Sequence, residues 1–436
     1  MGDTSKGIAP PAYRPRILDA KVERYLELFG AVEISGTKWC GKTWTALAHG
    51  KSVTYVDRGS NLDIVAADPS YALAGENPHV IDEWQRVPTI WDTVRHAVDD
   101  AGGEKGLWIL TGSSTPADPN MRSHSGAGRI GRIRMRPMTL QESEDSSASV
   151  SLAGLFEGRL PRAQCSDGIA AMAELACRGG WPEEAFKPSQ DALIVTREYL
   201  SLIFEESIPR LGGEAGFARR VATSLARNLG QAVTNKTLAA DVFSLADDQD
   251  PTDAQMREVS RYLELLKKLF LIDEVPGWVP ASRSPLRMRT KPKYYFADPS
   301  LAVSLLGLSP TALLEDFQTF GLVFENLVMR DLDVYSRALE NVGDVPLRYY
   351  RDDSDLEADV IIERADGSWG AVEIKLSQAK AEEAAKNLVR LREKLLADGR
   401  KRTPAPAFLA VVTGVGEAPY RRPDDVCVIP IRALGA

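Results

Sequence analysis

The stretch AVEISGTKWCGKTWTALAHG, residues 31–50, holds in order a short β-forming run, a loop bounded by glycines and a helical start. From Gly36 to Thr43 it has the form G-x-x-x-x-G-K-T, and a strand before it with a helix after it is the context a phosphate-binding loop requires. Glycines let such a loop turn so that successive N–H groups point inward, and the dipole of the following helix adds to the attraction for phosphate. The pattern predicts that Gly36, Thr37, Lys38, Trp39, Cys40, Gly41, Lys42 and Thr43 cradle ATP. Lys42 would reach the β and γ phosphates and the Thr43 hydroxyl would complete a Mg²⁺ shell. A glycine turn with a chance lysine has the same local form, so the segments downstream must decide.

Two of them do. In PHVIDEWQ, residues 78–85, a short strand ends in Asp82 and Glu83. Asp82 is placed to hold Mg²⁺ through water and Glu83 to polarise the attacking water, although acids at a strand end also cap helices. In GLWILTGSS, residues 106–114, another strand ends in Thr111 and Ser113, polar groups placed to sense the γ-phosphate. Together they predict a parallel sheet with its ligand at the carboxyl ends of the strands.

With YRPRILDAKVERYLELFG (13–30) ahead of them and GAGRIGRIRMRPMTLQE (126–142) and RGGWPE (178–183) after, these segments resemble, in order, the bacterial and archaeal AAA-type ATPases that carry a C-terminal domain of unknown function. The resemblance runs over nearly the whole chain. It implies that Lys42 and Thr43 are the Walker A pair, Asp82 and Glu83 the Walker B pair, and Ser113 or Thr111 the first sensor. It also implies that Arg129 acts on the γ-phosphate. The loop departs from the usual family form, having Thr37, Trp39 and Cys40 where a proline and small residues are usual. Arg129, Arg132, Arg134 and Arg136 recur at near-alternate positions, either as a source of an arginine finger for a neighbouring copy in a homo-oligomer or as a solvated strand face.

The 436 residues have 44% hydrophobic and 26% charged composition, an ordinary globular balance with room for about three cores. The longest apolar run, PAFLAVVTGV at 406–415, is too short to span a bilayer, and the N-terminus lacks the apolar core of a signal peptide and reads as a flexible lead-in. Cys40, Cys165, Cys177 and Cys427 have no C-x-x-C spacing, which argues against a zinc site or disulfide framework and fits the cytoplasm. A net charge of −8 argues against a surface coated for nucleic acid but leaves room for a local basic patch. His49, His79, His96 and His124 all lie in the N-terminal third, so chemistry further along must use other side chains.

After the break QESEDSSASVS (141–151), residues 152–212 read mostly as helix, a lid or connector. From 217, three helical patterns are followed by the strand-like FLIDEVPGW and KPKYYFADP, the order of a winged helix. In the third helix Val259, Tyr262, Leu263, Leu266, Leu269 and Phe270 repeat at three and four. Between Pro276 and Ala297 lie Arg283, Arg287, Arg289, Lys291 and Lys293 with no acid, so this wing is expected to bind phosphates of DNA or RNA without reading sequence. A packing module between the flanking domains is the alternative.

In SWGAVEIKLS, residues 368–377, the strand period puts Glu373 and Lys375 on one face. Asp359 begins a preceding strand joined through the turn RADGS, so a hairpin would bring it beside Glu373. Glu325 lies on the apolar stripe of FGLVFENLVMRDLDVY, where a lone carboxylate is costly without a partner or metal. Glu, Asp and E-x-K on helix, strand and strand resemble the PD-(D/E)xK nuclease fold. That resemblance implies that Asp359 and Glu373 hold Mg²⁺, Lys375 activates water and Glu325 serves a second metal or a water. Retention of the fold as a docking domain, with the site unused, stays open.

The expected fold class is therefore α/β: a P-loop AAA-type domain (1–150), a helical lid (151–215), a winged-helix-like domain (216–300) and a nuclease-like α/β domain (301–436). Two functions follow. One is an ATPase whose nucleotide state controls a Mg²⁺-dependent nuclease; the other is a nucleotide switch that grips a protein or nucleic acid without cutting. Neither involves a membrane.

Overall fold

A computed structural model describes residues 8–114, 126–165, 168–246, 248–280, 291–354, 356–397 and 403–436. The chain divides into two compact units, residues 1–137 with 268–270 and residues 138–267 with 271–436, where sequence reading expects four domains. Among the described residues no helix is long and apolar enough to cross a membrane.

In the first unit α1 (Asp19–Leu28) leads into β1 (Ala31–Ser35), and α2 (Lys42–His49) follows the glycine loop. Then come β2 (Ser52–Tyr55), α3 (Asn61–Ala67), β3 (His79–Asp82), α4 (Ile90–Asp100), β4 (Trp108–Gly112) and β5 (Ile130–Arg134). The strands form one parallel sheet in the order β2-β3-β4-β1-β5. Parallel strands are covered on both faces, and their runs are accordingly apolar. Val32, Ile34, Val80 and Ile109 pack with Cys40 and Ala46, while Ala31, Ile81 and Leu110 pack with Trp84, Trp91 and Val94. β1 has β4 and β5 as neighbours, so the loop after β1 emerges at the carboxyl edge of the sheet, between strand ends.

The second unit begins with β6 (Val150–Ser151), α5 (Leu152–Phe156), α6 (Ile169–Arg178), α7 (Ser189–Leu202) and the short α8 (Ile208–Arg210). Next are α9 (Ala215–Arg227), α10 (Asn235–Val242), α11 (Asp253–Lys268) and an antiparallel pair, β7 (Ile272–Val275) with β8 (Lys293–Phe296). Three helices and a hairpin thus occur in the expected order, with Val259, Tyr262, Leu263 and Leu266 buried along α11. α12 (Pro299–Leu306) and α13 (Pro310–Glu315) lead to the long α14 (Phe317–Ala338), capped by Asp316 accepting from Gln318 N and Thr319 N at 3.1 Å.

The remaining strands are β9 (Val342–Arg351), β10 (Glu357–Arg364), β11 (Trp369–Lys375), β12 (Phe408–Thr413), β13 (Tyr420–Arg421) and β14 (Val426–Pro430), with α15 (Ala381–Ala397) crossing from β11 to β12. They form a mixed sheet ordered β13-β14-β12-β11-β10-β9. The apolar face of α15, Ala384, Ala385, Leu388, Leu391 and Leu395, covers this sheet together with Trp278 and Trp369. β15 (Leu434–Gly435) pairs with β6 and so ties the last residues to the start of the unit.

The RGGWPE segment is a structural joint of this unit. Gly180 N and Arg330 Nη1 both donate to Asp298 Oδ2 at 2.9 Å, and Trp181 Nε1 donates to Ser300 at 3.0 Å. Arg330 Nη2 also meets Asp331 at 2.7 Å, and Asp331 accepts from Leu140 N at 3.0 Å. Gly179 has φ +71°, and a Cβ there would overlap Asp298 and Ser300, so only glycine fits.

Candidate nucleotide and acid-lysine sites

In the first unit the loop has the shape of a phosphate cradle. Gly41 is left-handed (φ 101°) at the entry to α2, and Gly36 (φ 153°) approaches Met135 O so closely that a Cβ would overlap it. Lys42 is buried in the loop, donating to Thr37 O at 2.7 Å. Thr37 Oγ1 is buried without a protein partner, a polar group a phosphate oxygen would satisfy. The unusual residues leave this bed clear: Trp39 is 48% exposed, and Cys40 is buried beneath the loop with Sγ directed to Met135 O at 3.8 Å.

The acids and hydroxyls form one linked set. Thr43 Oγ1 donates to Asp82 Oδ1 at 2.7 Å, and Thr111 Oγ1 donates to the same oxygen at 2.5 Å. Thr111 Oγ1 also accepts from Glu83 N at 3.2 Å. A hydroxyl and a carboxylate touching at the loop's edge fit a Mg²⁺ ion, which takes oxygen ligands and keeps several waters. Glu83 is left-handed (φ 60°), an uncommon conformation for a non-glycine residue. Its carboxylate accepts from Gln85 Nε2 at 2.5 Å and from Ser113 Oγ at 3.2 Å. Ser113 therefore touches the Glu83 carboxylate, and Thr111 joins the two acids; Gln85 is an addition that sequence reading passed over.

The arginines require correction. β5 runs parallel to β1 with Ile130 opposite Ala31, so Arg129 stands at the amino edge of the sheet, away from the loop that follows Ser35. It is exposed and paired with Asp99 at 2.8 Å, so it does not reach a nucleotide in its own domain. Arg132 packs over Trp91 and Arg134 over Phe270, while Arg136 is buried. Arg129 and Arg132 are exposed, Arg134 is half-buried and Arg136 buried, so the four do not form a single solvated face.

In the second unit Glu325, Asp359, Glu373 and Lys375 come together. Asp359 lies in a bulge of β10, where Ala358 and Ile361 pair with Tyr350 and Arg348 of β9, an irregularity that re-aims side chains. Its Oδ2 accepts from Ile374 N at 2.8 Å and Lys375 Nζ at 3.3 Å. Lys375 also meets Glu373 Oε2 at 2.6 Å, and the Asp359 and Glu373 carboxyls act on each other's ionisation. Glu325 Oε1 accepts from Tyr295 OH at 2.5 Å.

Sequence reading missed two members. Lys293 is 5% exposed and pairs with Glu357 at 2.6 Å, its charge acting on Glu325 and Asp359. This corrects the expectation that Lys293 contacts nucleic-acid phosphates: the hairpin turns it, with Tyr295, into the acid cluster. Of the other wing cations, Lys291 is exposed and Arg283, Arg287 and Arg289 lie outside the described residues.

Burial, then the Asp359 charge, pushes Glu325 up to about 7 and Glu373 up to about 8. Asp359 goes the other way: burial opposes its charge, but Lys375, Lys293 and the Ile374 N–H hold it below the usual range. An ionised Asp359 beside a protonated Glu373 relieves the repulsion of two adjacent carboxylates. Among the described residues no group of three or more His, Cys, Asp or Glu is arranged to hold a metal ion. The Asp359–Glu373 pair nonetheless has donor chemistry that suits Mg²⁺, which would displace the proton that burial favours on Glu373.

The parallel sheet and its loop define the first unit as a P-loop nucleotide-binding fold. Residues 29–144 match the AAA domain model, in keeping with that fold. Residues 169–312 and 320–434 match two domains of unknown function, DUF8612 and DUF4143. No curated protein matches the chain. Among solved structures, the chain is similar to a Walker-type ATPase of Pyrococcus abyssi at 14% identity, covering 70% of this chain and 99% of that one with a TM-score of 0.42. The Aeropyrum pernix ORC1 protein in complex with DNA matches at 14% identity, 70% and 94% coverage and a TM-score of 0.30. The Thermotoga maritima RuvB Holliday junction branch migration motor matches at 19% identity, 62% and 92% coverage and 0.29.

Proposed function

We propose that the chain is an ATP-hydrolysing AAA-type protein whose nucleotide state controls a C-terminal nuclease-like domain acting on DNA or RNA. In the first unit Lys42 and the loop N–H groups bind the phosphates, and Thr43 and Asp82 hold the site for Mg²⁺, which supplies charge for phosphoryl transfer. Glu83, held by Gln85 and Ser113, orients the attacking water. Arg129, unable to serve its own domain, serves a neighbouring copy.

One observation carries the nuclease reading: Asp359 and Glu373 sit side by side on adjacent strands, with Lys375 bridging both. In that reading the two acids would hold Mg²⁺, which supplies Lewis-acid charge. Lys375 orients the water and meets charge developing on phosphorus, and Glu325 accepts the water's second hydrogen bond. The three helices and hairpin of residues 215–296 are read as a winged-helix-like element, with the basic segment 283–291 as its nucleic-acid contact. The Lys293–Glu357 pair supports a second reading, a nucleotide-dependent switch that binds protein or nucleic acid without cutting, because a buried lysine already balances the acids.

Cleavage of labelled single- and double-stranded DNA and RNA with Mg²⁺ or Mn²⁺, with and without ATP, separates the two. Cleavage by the wild type that disappears in the Asp359→Ala, Glu373→Ala variant supports the nuclease. ATP hydrolysis without cleavage on any substrate leaves the switch.

A further inference from the structure

The segment ahead of α1 is expected to be a flexible lead-in, yet it is fastened to the nucleotide loop. Arg16 is 6% exposed, and its guanidinium donates through Nη1 to Cys40 O at 2.9 Å and through Nη2 to Arg136 O at 2.8 Å. The first acceptor lies inside the phosphate loop; the second lies just beyond β5, the neighbour of β1. The loop meets that same run twice more, through Cys40 Sγ and through Gly36, both at Met135 O. The lead-in is itself held in place. Arg16 N donates to Asp19 Oδ2 at 2.8 Å, and Tyr13 OH donates to Asp19 Oδ1 at 2.6 Å and pairs with Thr45 at 3.2 Å. His49, in the last turn of α2, meets Asp19 at 3.2 Å.

A trans peptide is planar, so its C=O and the following N–H point in opposite directions. With Cys40 O held toward Arg16, the N–H of Gly41 is turned away from the guanidinium. An anion-binding nest works only when its N–H groups converge, and nothing on the phosphate side can enforce that before the anion arrives. A guanidinium is suited to the task because its planar fork reaches two carbonyls at once and its charge persists at any physiological pH.

We propose that Arg16 is a positioning residue for nucleotide: by clamping Cys40 O to Arg136 O it presets the Gly41 N–H in the phosphate bed. The inference rests on the reading of this loop as an ATP site. It assigns a role to a residue ahead of the phosphate-binding motif itself.

The test uses the full chain and measures ATP and ADP affinity with Mg²⁺ by titration calorimetry, beside steady-state ATPase kinetics and a melting curve. In Arg16→Ala the affinity should fall at least tenfold, with KM raised by a larger factor than kcat is lowered. Added guanidinium ion should restore part of the affinity to Arg16→Ala and none to Lys42→Ala. Arg16→Lys, which can hold one carbonyl but not both, should lie between. Affinity within twofold of wild type in Arg16→Ala overturns the role, as does a weakened variant that guanidinium leaves unchanged. If Arg16→Ala fails to fold, Arg16→Lys decides, and wild-type affinity there overturns the role equally. A wild type that binds no nucleotide overturns the ATP reading and this inference together, whereas intact wild-type binding with unchanged variants overturns this one alone.

Discussion

Arg330→Met should destabilise the second unit by about 3–5 kcal/mol at pH 8, because removing one partner of a buried ion network strands the others. The guanidinium is enclosed, its side chain 1% exposed, between Asp298 and Asp331, both fully buried. The two acids are unequally protected. Asp298 keeps donors from Gly180 N, Ser300 N and the Ser300 hydroxyl, whereas Asp331 keeps Leu140 N and a distant Tyr335 hydroxyl. Most of the penalty should therefore fall on Asp331, which burial already pushes up to about 6 even with Arg330 beside it. A carboxyl with a raised native pKa contributes stability at low pH that is lost as pH climbs through that value. In the wild type this loss is complete a little above pH 6. Without the guanidinium it continues upward, so the gap between variant and wild type should widen by up to about 1.4 kcal/mol per pH unit between pH 6 and 8. Urea unfolding at pH 5.5, 7 and 8, followed by tryptophan fluorescence and far-UV circular dichroism, reads this directly. A gap below about 1 kcal/mol at pH 8, or one larger at pH 5.5 than at pH 8, refutes the reasoning.

Thr111→Val should slow ATP turnover at least tenfold while changing nucleotide affinity less than about threefold, since Thr111 joins Asp82 to Glu83 without lying in the phosphate loop; stopped-flow binding beside steady-state turnover separates the two. Gly36→Ala must place a methyl against Met135 O at a strained φ worth about 1–3 kcal/mol, and calorimetry should find ATP affinity reduced tenfold or more; unchanged affinity would show that the loop is differently seated. Mn²⁺ binding to the acid cluster, measured in a Lys42→Ala, Asp82→Asn background to silence the nucleotide site, should tighten from pH 6 to pH 9. The metal must displace protons from Glu325 and Glu373, held near 7 and 8, and Asp359→Ala should abolish the effect.

Local signals made the nucleotide site legible. A loop that binds phosphate is written in consecutive residues, and the acids and hydroxyls that complete it end strands whose apolar runs announce them. That Arg129 does not serve its own domain is legible on the same grounds. If β5 runs parallel to β1, a residue ahead of β5 must stand at the amino edge, opposite the loop after β1. Arg16 had no comparable signal, because its partners are backbone carbonyls at Cys40 and Arg136, and carbonyls leave no mark in a sequence.

Lys293 is the instructive case, because the residues around it favoured the wrong environment. In a run of cations without acids, each lysine reads as solvated, and the exposed Lys291 is consistent with that. What reverses the reading two residues later is the strand: all four residues of β8 are buried, so Lys293 and Tyr295 share one enclosed face and must find partners there. The partners come from two distant elements, Glu325 on α14 and Glu357 on β10, and neither is recognisable as a partner until the other is placed. Counted with them, the cluster has four carboxyls against two ammonium groups, short by two positive charges. At neutral pH the raised Glu325 and Glu373 cover that shortfall largely with protons, and a single divalent cation would cover it without them. Proton and metal are thus alternatives at one site. Substituting Lys293 by Met deepens the shortfall by one charge, so it should raise both the proton uptake and the divalent-cation affinity of the cluster, two quantities that a purely structural lysine would leave uncoupled.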